Sequence, residues 1–163
     1  MSTILIIILV VIFIFYLFNN DRKDVKINVL QRGGLRRIYP NFVQYINQAH
    51  DQSLSFFNFD TTPLELAKDD GEYLHYKFPK NHGGTNYGYY YIGIHHTFGT
   101  IAECFSINKH GRKIEGFMRE LHNGRSAQPI DRSIDDYRSI FSGLIYQMEN
   151  LPNFEEKFYF NNF

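Results

Sequence analysis

The N-terminal stretch constrains this chain more than any other feature. Ile4 to Phe18 is an unbroken run of Ile, Leu, Val, Phe and Tyr, and residues 1–20 hold no charged side chain. Water does not tolerate such a surface. A helix rising about 1.5 Å per residue carries Met1 to Phe18 across about 27 Å, close to the roughly 30 Å hydrocarbon thickness of a bilayer. Tyr16 falls where an interfacial aromatic is expected. No Lys or Arg precedes the run, and no small-x-small cleavage site follows it, which disfavours a cleaved secretory signal. No Cys lies near position 20 to accept a lipid. The expectation is a single-pass anchor over residues 1–20, with the lipid bilayer as its partner.

Charge is distributed unevenly beyond the anchor. Arg22, Lys23, Lys26, Arg32, Arg36 and Arg37 crowd the stretch that follows, against only Asp21 and Asp24. The Lys/Arg bias therefore directs the following domain to the cytoplasm. Arg22, Lys23, Lys26, Arg36 and Arg37 are also candidate membrane-surface residues, each worth about 1 kcal/mol near anionic headgroups. The plainer alternative is that they serve topology alone. From Ile38 onward the chain has 11 basic and 15 acidic residues, a balance that argues against a nucleic-acid partner.

The division read from this pattern is an anchor over 1–20, a basic juxtamembrane linker over 21–34 and one soluble domain over 35–163. A domain of that size buries about two-thirds of its unfolded surface and folds without disulfides or structural metals. Cys104 is the only cysteine, so no intramolecular disulfide forms and no oxidising compartment is implied.

Within the domain, Leu35 to Gln52 reads as a helix, with Pro40 suited to a first turn and Phe42, Val43, Ile46 and Ala49 on one stripe. Ser53 to Asp60 reads as a strand, and Thr61-Thr62-Pro63 as the opening of a helical turn through Lys68. Four strand-like runs follow: Glu72 to Phe78, Tyr87 to His96, Thr100 to Asn108 and Arg112 to Leu121. The first two are separated by a Gly/Asn-rich loop over 79–86, and the last two by the turn Asn108 to Gly111. No connection is long enough for a crossover helix, which predicts an antiparallel meander. Ser133 to Leu151 reads as the strongest helix, capped by Ser133, with Asp135 and Asp136 complementing its dipole. The tail from Phe154 to Phe163 is expected to add an edge strand or lie across the core. The fold class is α+β: a single transmembrane helix, then a two-layer domain whose β-meander is covered by one or two helices.

No motif reaches the specificity of a catalytic signature. His95 and His96 end a strand, His82 precedes it, and Glu103 and Cys104 follow on the next, so these residues are weak candidates for a His/Cys cluster. Adjacent histidines on a strand point to opposite faces, and the spacing fits no zinc pattern, so polar residues at a strand end are the favoured reading. Cys104 beside His95 or His96 would form a thiolate-imidazole pair, but a lone strand cysteine is more often a small buried hydrophobe. His82-Gly83-Gly84-Thr85-Asn86 lacks the Lys-Ser/Thr of a phosphate loop and leads into no helix. Asp69, Asp70 and Glu72 lack calcium-loop spacing and read as a solvated turn. No metal and no cofactor is expected.

Tyr87, Tyr89, Tyr90 and Tyr91 form the most unusual local feature. Alternation places Tyr89 and Tyr91 on one face and Tyr90, Ile92 and Ile94 on the other. Tyrosine offers contact area at low entropic cost, so Tyr87, Tyr89 and Tyr91 are candidate protein-binding residues. Cross-strand aromatic packing is the plainer explanation. The leading expectation is a non-enzymatic, membrane-anchored protein-binding or accessory module, on a plan shared by many bacterial accessory and immunity proteins. The alternatives are a small anchored enzyme using the His/Cys neighbourhood and a membrane-surface assembly factor acting through the basic collar.

Overall fold

The computed structural model describes residues 2–51, 64–82, 85–122 and 129–149. Its first element, α1 (Ser2–Gln31), is a single helix whose N-terminal part is long and apolar enough to cross a membrane. Ile4 to Phe18 are all exposed, and Phe18, at the end of the run, meets the Phe98 ring. The helix does not stop at the end of the apolar run. Residues 21–31, read as linker from sequence, form its last three turns, which Val29 ties into the core. Charged residues of long side chain are good helix formers, so nothing between Asn20 and Gln31 terminates the helix before Gly33 and Gly34.

Two helices follow, α2 (Leu35–Ile38) and α3 (Pro40–Asp51), in place of one continuous helix. Pro40 separates them: it supplies no N–H and restricts Tyr39, which caps α2 outside helical geometry. Next come β1 (Glu65–Asp69), β2 (Tyr73–His82), β3 (Thr85–His96), β4 (Thr100–Asn108) and β5 (Lys113–His122), and α4 (Ile134–Glu149) closes the described chain. The five strands form one antiparallel sheet in the order β1-β2-β3-β4-β5, the meander that the short connections predict. The architecture is α+β.

Two local expectations are corrected. Glu65–Asp69 is an edge strand and not a helical turn, because the free edge of β2 supplies backbone partners that outweigh weak local helix propensity. Much of the stretch 79–86 is strand and not loop: Asn81 pairs with Asn86 and His82 with Thr85. A register shift between Pro79 and Asn81 absorbs the proline, whose missing N–H is tolerated at a bulge. The strand expected at 53–60 and the tail 154–163 lie outside the described residues.

The helices pack on one face of the sheet. Leu74, Tyr76, Phe78, Tyr90, Ile92, Ile94, Ala102 and Cys104 meet Phe42, Ile46, Phe141, Leu144 and Met148 in a single core. Phe42 is its aromatic centre, with ring centroids 5.4 Å from both Tyr137 and Phe141 and 6.1 Å from Tyr76. At the start of α4 the Asp136 N–H donates to Ser133 Oγ at 3.1 Å while Ser133 donates back to the Asp136 carboxylate, a reciprocal cap. Asp131 joins this end to α3 by accepting from the Asn41 N–H at 2.9 Å and from the Tyr137 hydroxyl at 2.9 Å.

Candidate functional site

The opposite face of the sheet carries the polar and aromatic residues of alternate parity. Register aligns His75 of β2, Gly93 of β3 and Glu103 of β4 in one row across the strands. Strands lie about 4.8 Å apart, so a side chain on β2 reaches β4 only by passing over β3. Gly93 makes that possible: a Cβ there would stand 2.1 Å from His75 Cδ2. The His75 ring crosses the gap and its Nε2 meets Glu103 Oε1 at 2.5 Å, with both residues buried. Burial alone would raise the Glu103 carboxyl, but the hydrogen bond and charge of His75, with His95 and Lys113 adding, hold it below its ordinary value.

Rings fence this pair. Phe105 lies 5.4 Å from His75, Tyr73 lies 5.3 Å from it, and Tyr91 stacks flat on Phe105 at 4.8 Å. His95 stacks on Tyr73 at 4.2 Å and approaches Glu72 Oε1 at 3.4 Å. Apart from the Tyr73–His75 contact within β2, the ring contacts on this face join different strands. Lysines rim the array: Lys68 over Tyr73, Lys77 over Tyr89 and Lys113 over Phe105, at 3.9, 4.9 and 4.3 Å from the ring centroids. Such cation–ring contacts are each worth about 0.5–1 kcal/mol where exposed.

Tyr89 and Tyr91 are half-buried on this face, while Tyr90 is buried beneath the helices. The Tyr87 side chain and His82 side chain lie outside the described residues. The weak His/Cys candidates are not brought together. His95 and His96 take opposite faces, and Cys104 sits on the helix side with its thiol donating to Met148 Sδ at 3.0 Å. Cys104 lies four positions along β4 from Thr100, the cross-strand neighbour of His96, a span of about 13 Å. Among the described residues, no three His, Cys, Asp or Glu side chains gather as metal ligands.

His96 belongs to a separate, buried arrangement. Its Nδ1 meets the Tyr39 hydroxyl at 2.8 Å and Thr100 Oγ1 at 3.1 Å, and Tyr39 also meets Thr100 at 2.8 Å. Burial, with His95 nearby, lowers the His96 pKa, and burial pushes the Tyr39 hydroxyl up to about 12. Both groups are therefore neutral at physiological pH.

Two of the five membrane-surface candidates are engaged inside the protein. Arg22 pairs with Glu72, and Lys26 Nζ lies 3.2 Å from Asp70 Oδ2, so α1 is clamped to the β1–β2 turn. Asp70 also accepts the N–H groups of Glu72 and Tyr73 and lies 3.2 Å from Lys68 Nζ; these bonds, with Lys26 and Lys68, outweigh its burial and hold its carboxyl well below the usual range. Gly71 completes the clamp at φ 84°, where a Cβ would stand 2.8 Å from Leu30 Cγ. Lys23, Arg36 and Arg37 are exposed. Sequence reasoning missed His75, because a single histidine in an apolar strand gives no signal; only the glycine facing it, three strands deep in register, marks the site.

No protein-family model, no curated protein and no solved structure matches this chain.

Proposed function

We propose that the chain is a single-pass, membrane-anchored recognition module, with its domain on the cytoplasmic side, that offers the strand face bearing Tyr73, Tyr89 and Tyr91 to a protein partner. The observation that carries this reading is the unbroken passage of α1 from an apolar run into a clamp on the sheet, through Arg22–Glu72, Lys26–Asp70 and Leu30 on Gly71. A helix joined in this way sets the domain at a fixed angle to the bilayer, which suits display of one face. The partner is a surface bearing carboxylates. Lys113 rims the face with no ion pair among the described residues, whereas Lys68 and Lys77 are paired with Asp70 and Glu65, and Glu103 and Glu72 are engaged by His75 and Arg22. Aromatic area with a polar rim is the usual composition of an interface.

The test is recovery of tagged full-length protein from detergent-solubilised membranes, with partner stoichiometry measured for wild type, Tyr89→Ala and Lys113→Glu. A near-equimolar acidic partner, lost in both variants and weakened by salt, is expected. Retention of the same partner in both variants removes this face from the account.

A further inference from the structure

A crevice of about 230 Å³ opens on the far side of α1 from the Glu72 clamp, between that helix, Ile38 of α2 and the β3–β4 turn. We infer that it takes the head of a single-chain amphiphile ending in an anionic group beside a hydroxyl, the chemistry of a lysophosphatidic acid, drawn from the adjoining bilayer.

Two stripes of α1 face the space. Val25 and Val29 form an apolar one, and Asp24, Asn28 and Arg32 a polar one, each at the four-residue spacing that keeps side chains on one face. Across from them stand His96 and Phe98. His96 is buried at 8 % exposure, and both of its ring hydrogen bonds are made through Nδ1. Its Nε2 has no partner among the described residues. That nitrogen is not fully enclosed, so it is open to a group in the crevice. With the Tyr39 hydroxyl donating to Nδ1, the Nε2 bears the proton and presents a donor. Arg32 is exposed and has no carboxylate partner among the described residues, so its planar fork is available to a phosphate or carboxylate. Asp24, two turns nearer the apolar run, accepts from a hydroxyl below that head.

The source follows from Phe98. Its ring lines the crevice and packs 4.9 Å from Phe18, the last residue of the apolar run. The floor of the crevice therefore stands at the bilayer surface, and the Val25–Val29–Phe98 side leads a chain down into it. This inference rests on the anchor reading above.

The experiment is native mass spectrometry of the full chain in detergent, titrated with 1-oleoyl lysophosphatidic acid, with monoolein and glycerol 3-phosphate as probes lacking the anion and the chain. The expected result is a one-to-one adduct with the first probe alone, reduced at least tenfold by Arg32→Gln and by Asn28→Trp, which fills the crevice. Both positions are exposed, so equal melting temperatures confirm that the variants fold. Absence of an adduct, an adduct indifferent to both variants, or equal binding of glycerol 3-phosphate overturns the inference. Carbonate extraction of membranes judges the anchor separately. Protein kept in the pellet without an adduct rejects the crevice proposal alone, and protein released into the supernatant rejects the bilayer as its source.

Discussion

His75 on β2 bonds Glu103 on β4 at 2.5 Å by lying across Gly93 on the strand between them. The gap is a single missing Cβ, so Gly93→Ala is the most direct probe of it. The new methyl would stand 2.1 Å from His75 Cδ2 and 2.4 Å from the Leu74 carbonyl oxygen, and the second of these cannot rotate away. Overpacking of this kind costs about 1–3 kcal/mol. The melting temperature is expected to fall by roughly 5 °C. Adding His75→Ala should return part of that loss, since the ring is one of the two obstacles. A double variant no better than the sum of both single changes would show that the ring does not occupy the gap.

The same pair sets a pH dependence. Glu103 titrates below its ordinary value in the folded state, so its contribution is present above the unfolded pKa of 4.5 and is lost as pH falls through the lower folded value. Glu103→Gln removes that contribution. At pH 7 the variant should be less stable by about 1–3 kcal/mol, the range for a buried hydrogen bond involving a charged group. Below about pH 4 the two urea-unfolding curves should draw together, because the wild type is then losing what the variant already lacks. Curves separated by a constant gap from pH 7 to pH 3 would place the Glu103 effect in packing and not in charge.

The meander and its hairpins were legible because antiparallel pairing follows from short connections and period-two alternation, which are local properties. The faces of Tyr89, Tyr90 and Tyr91 followed from the same alternation, and so did the split between His95 and His96. What local pattern could not supply was pairing over distance. Glu65–Asp69 becomes a strand only because the edge of β2 lies beside it, and Pro79 is carried inside a strand only because a bulge forms opposite Tyr89. The His75–Gly93–Glu103 row depends on the registers of two hairpins at once, and neither histidine nor glycine announces it alone. The clamp was hidden for a similar reason: a basic stretch after an apolar run reads as a topology signal until Glu72 and Asp70 are seen beside it.

The clamp can be separated into charge and shape. The Arg22–Glu72 and Lys26–Asp70 pairs are partly exposed, and such pairs contribute at most about 1 kcal/mol each. Gly71 is the steric element, since at φ 84° any side chain is strained and its Cβ would meet Leu30 at 2.8 Å and the Lys26 carbonyl at 3.0 Å. Gly71→Val is therefore expected to lift the end of α1 from the sheet, raising amide exchange at Val25 to Leu30 by more than tenfold. Arg22→Ala should raise it only a few-fold. Equal protection in Gly71→Val and wild type would mean that the end of α1 does not depend on contact with this turn.

Cys104 provides the sharpest separation between a binding module and an anchored thiol enzyme. Its side chain is fully buried in the core, and its thiol faces the Met148 sulfur at 3.0 Å on the side of the sheet opposite His95. A thiol so placed lacks the access that a reactive thiolate needs. It reacts only when the domain opens, and for a domain stable by 5 kcal/mol or more the open fraction is on the order of 10⁻³ or less. Alkylation by a small maleimide should therefore run at least about 10³-fold slower than in 8 M urea and accelerate with denaturant in step with global unfolding. Met148→Leu should leave that pattern intact, because a residue of similar volume continues to cover the sulfur. A rate near that of the unfolded thiol, with a plateau set by a pKa near neutrality, would return Cys104 to the candidates for catalysis and require that the helix layer open locally above it.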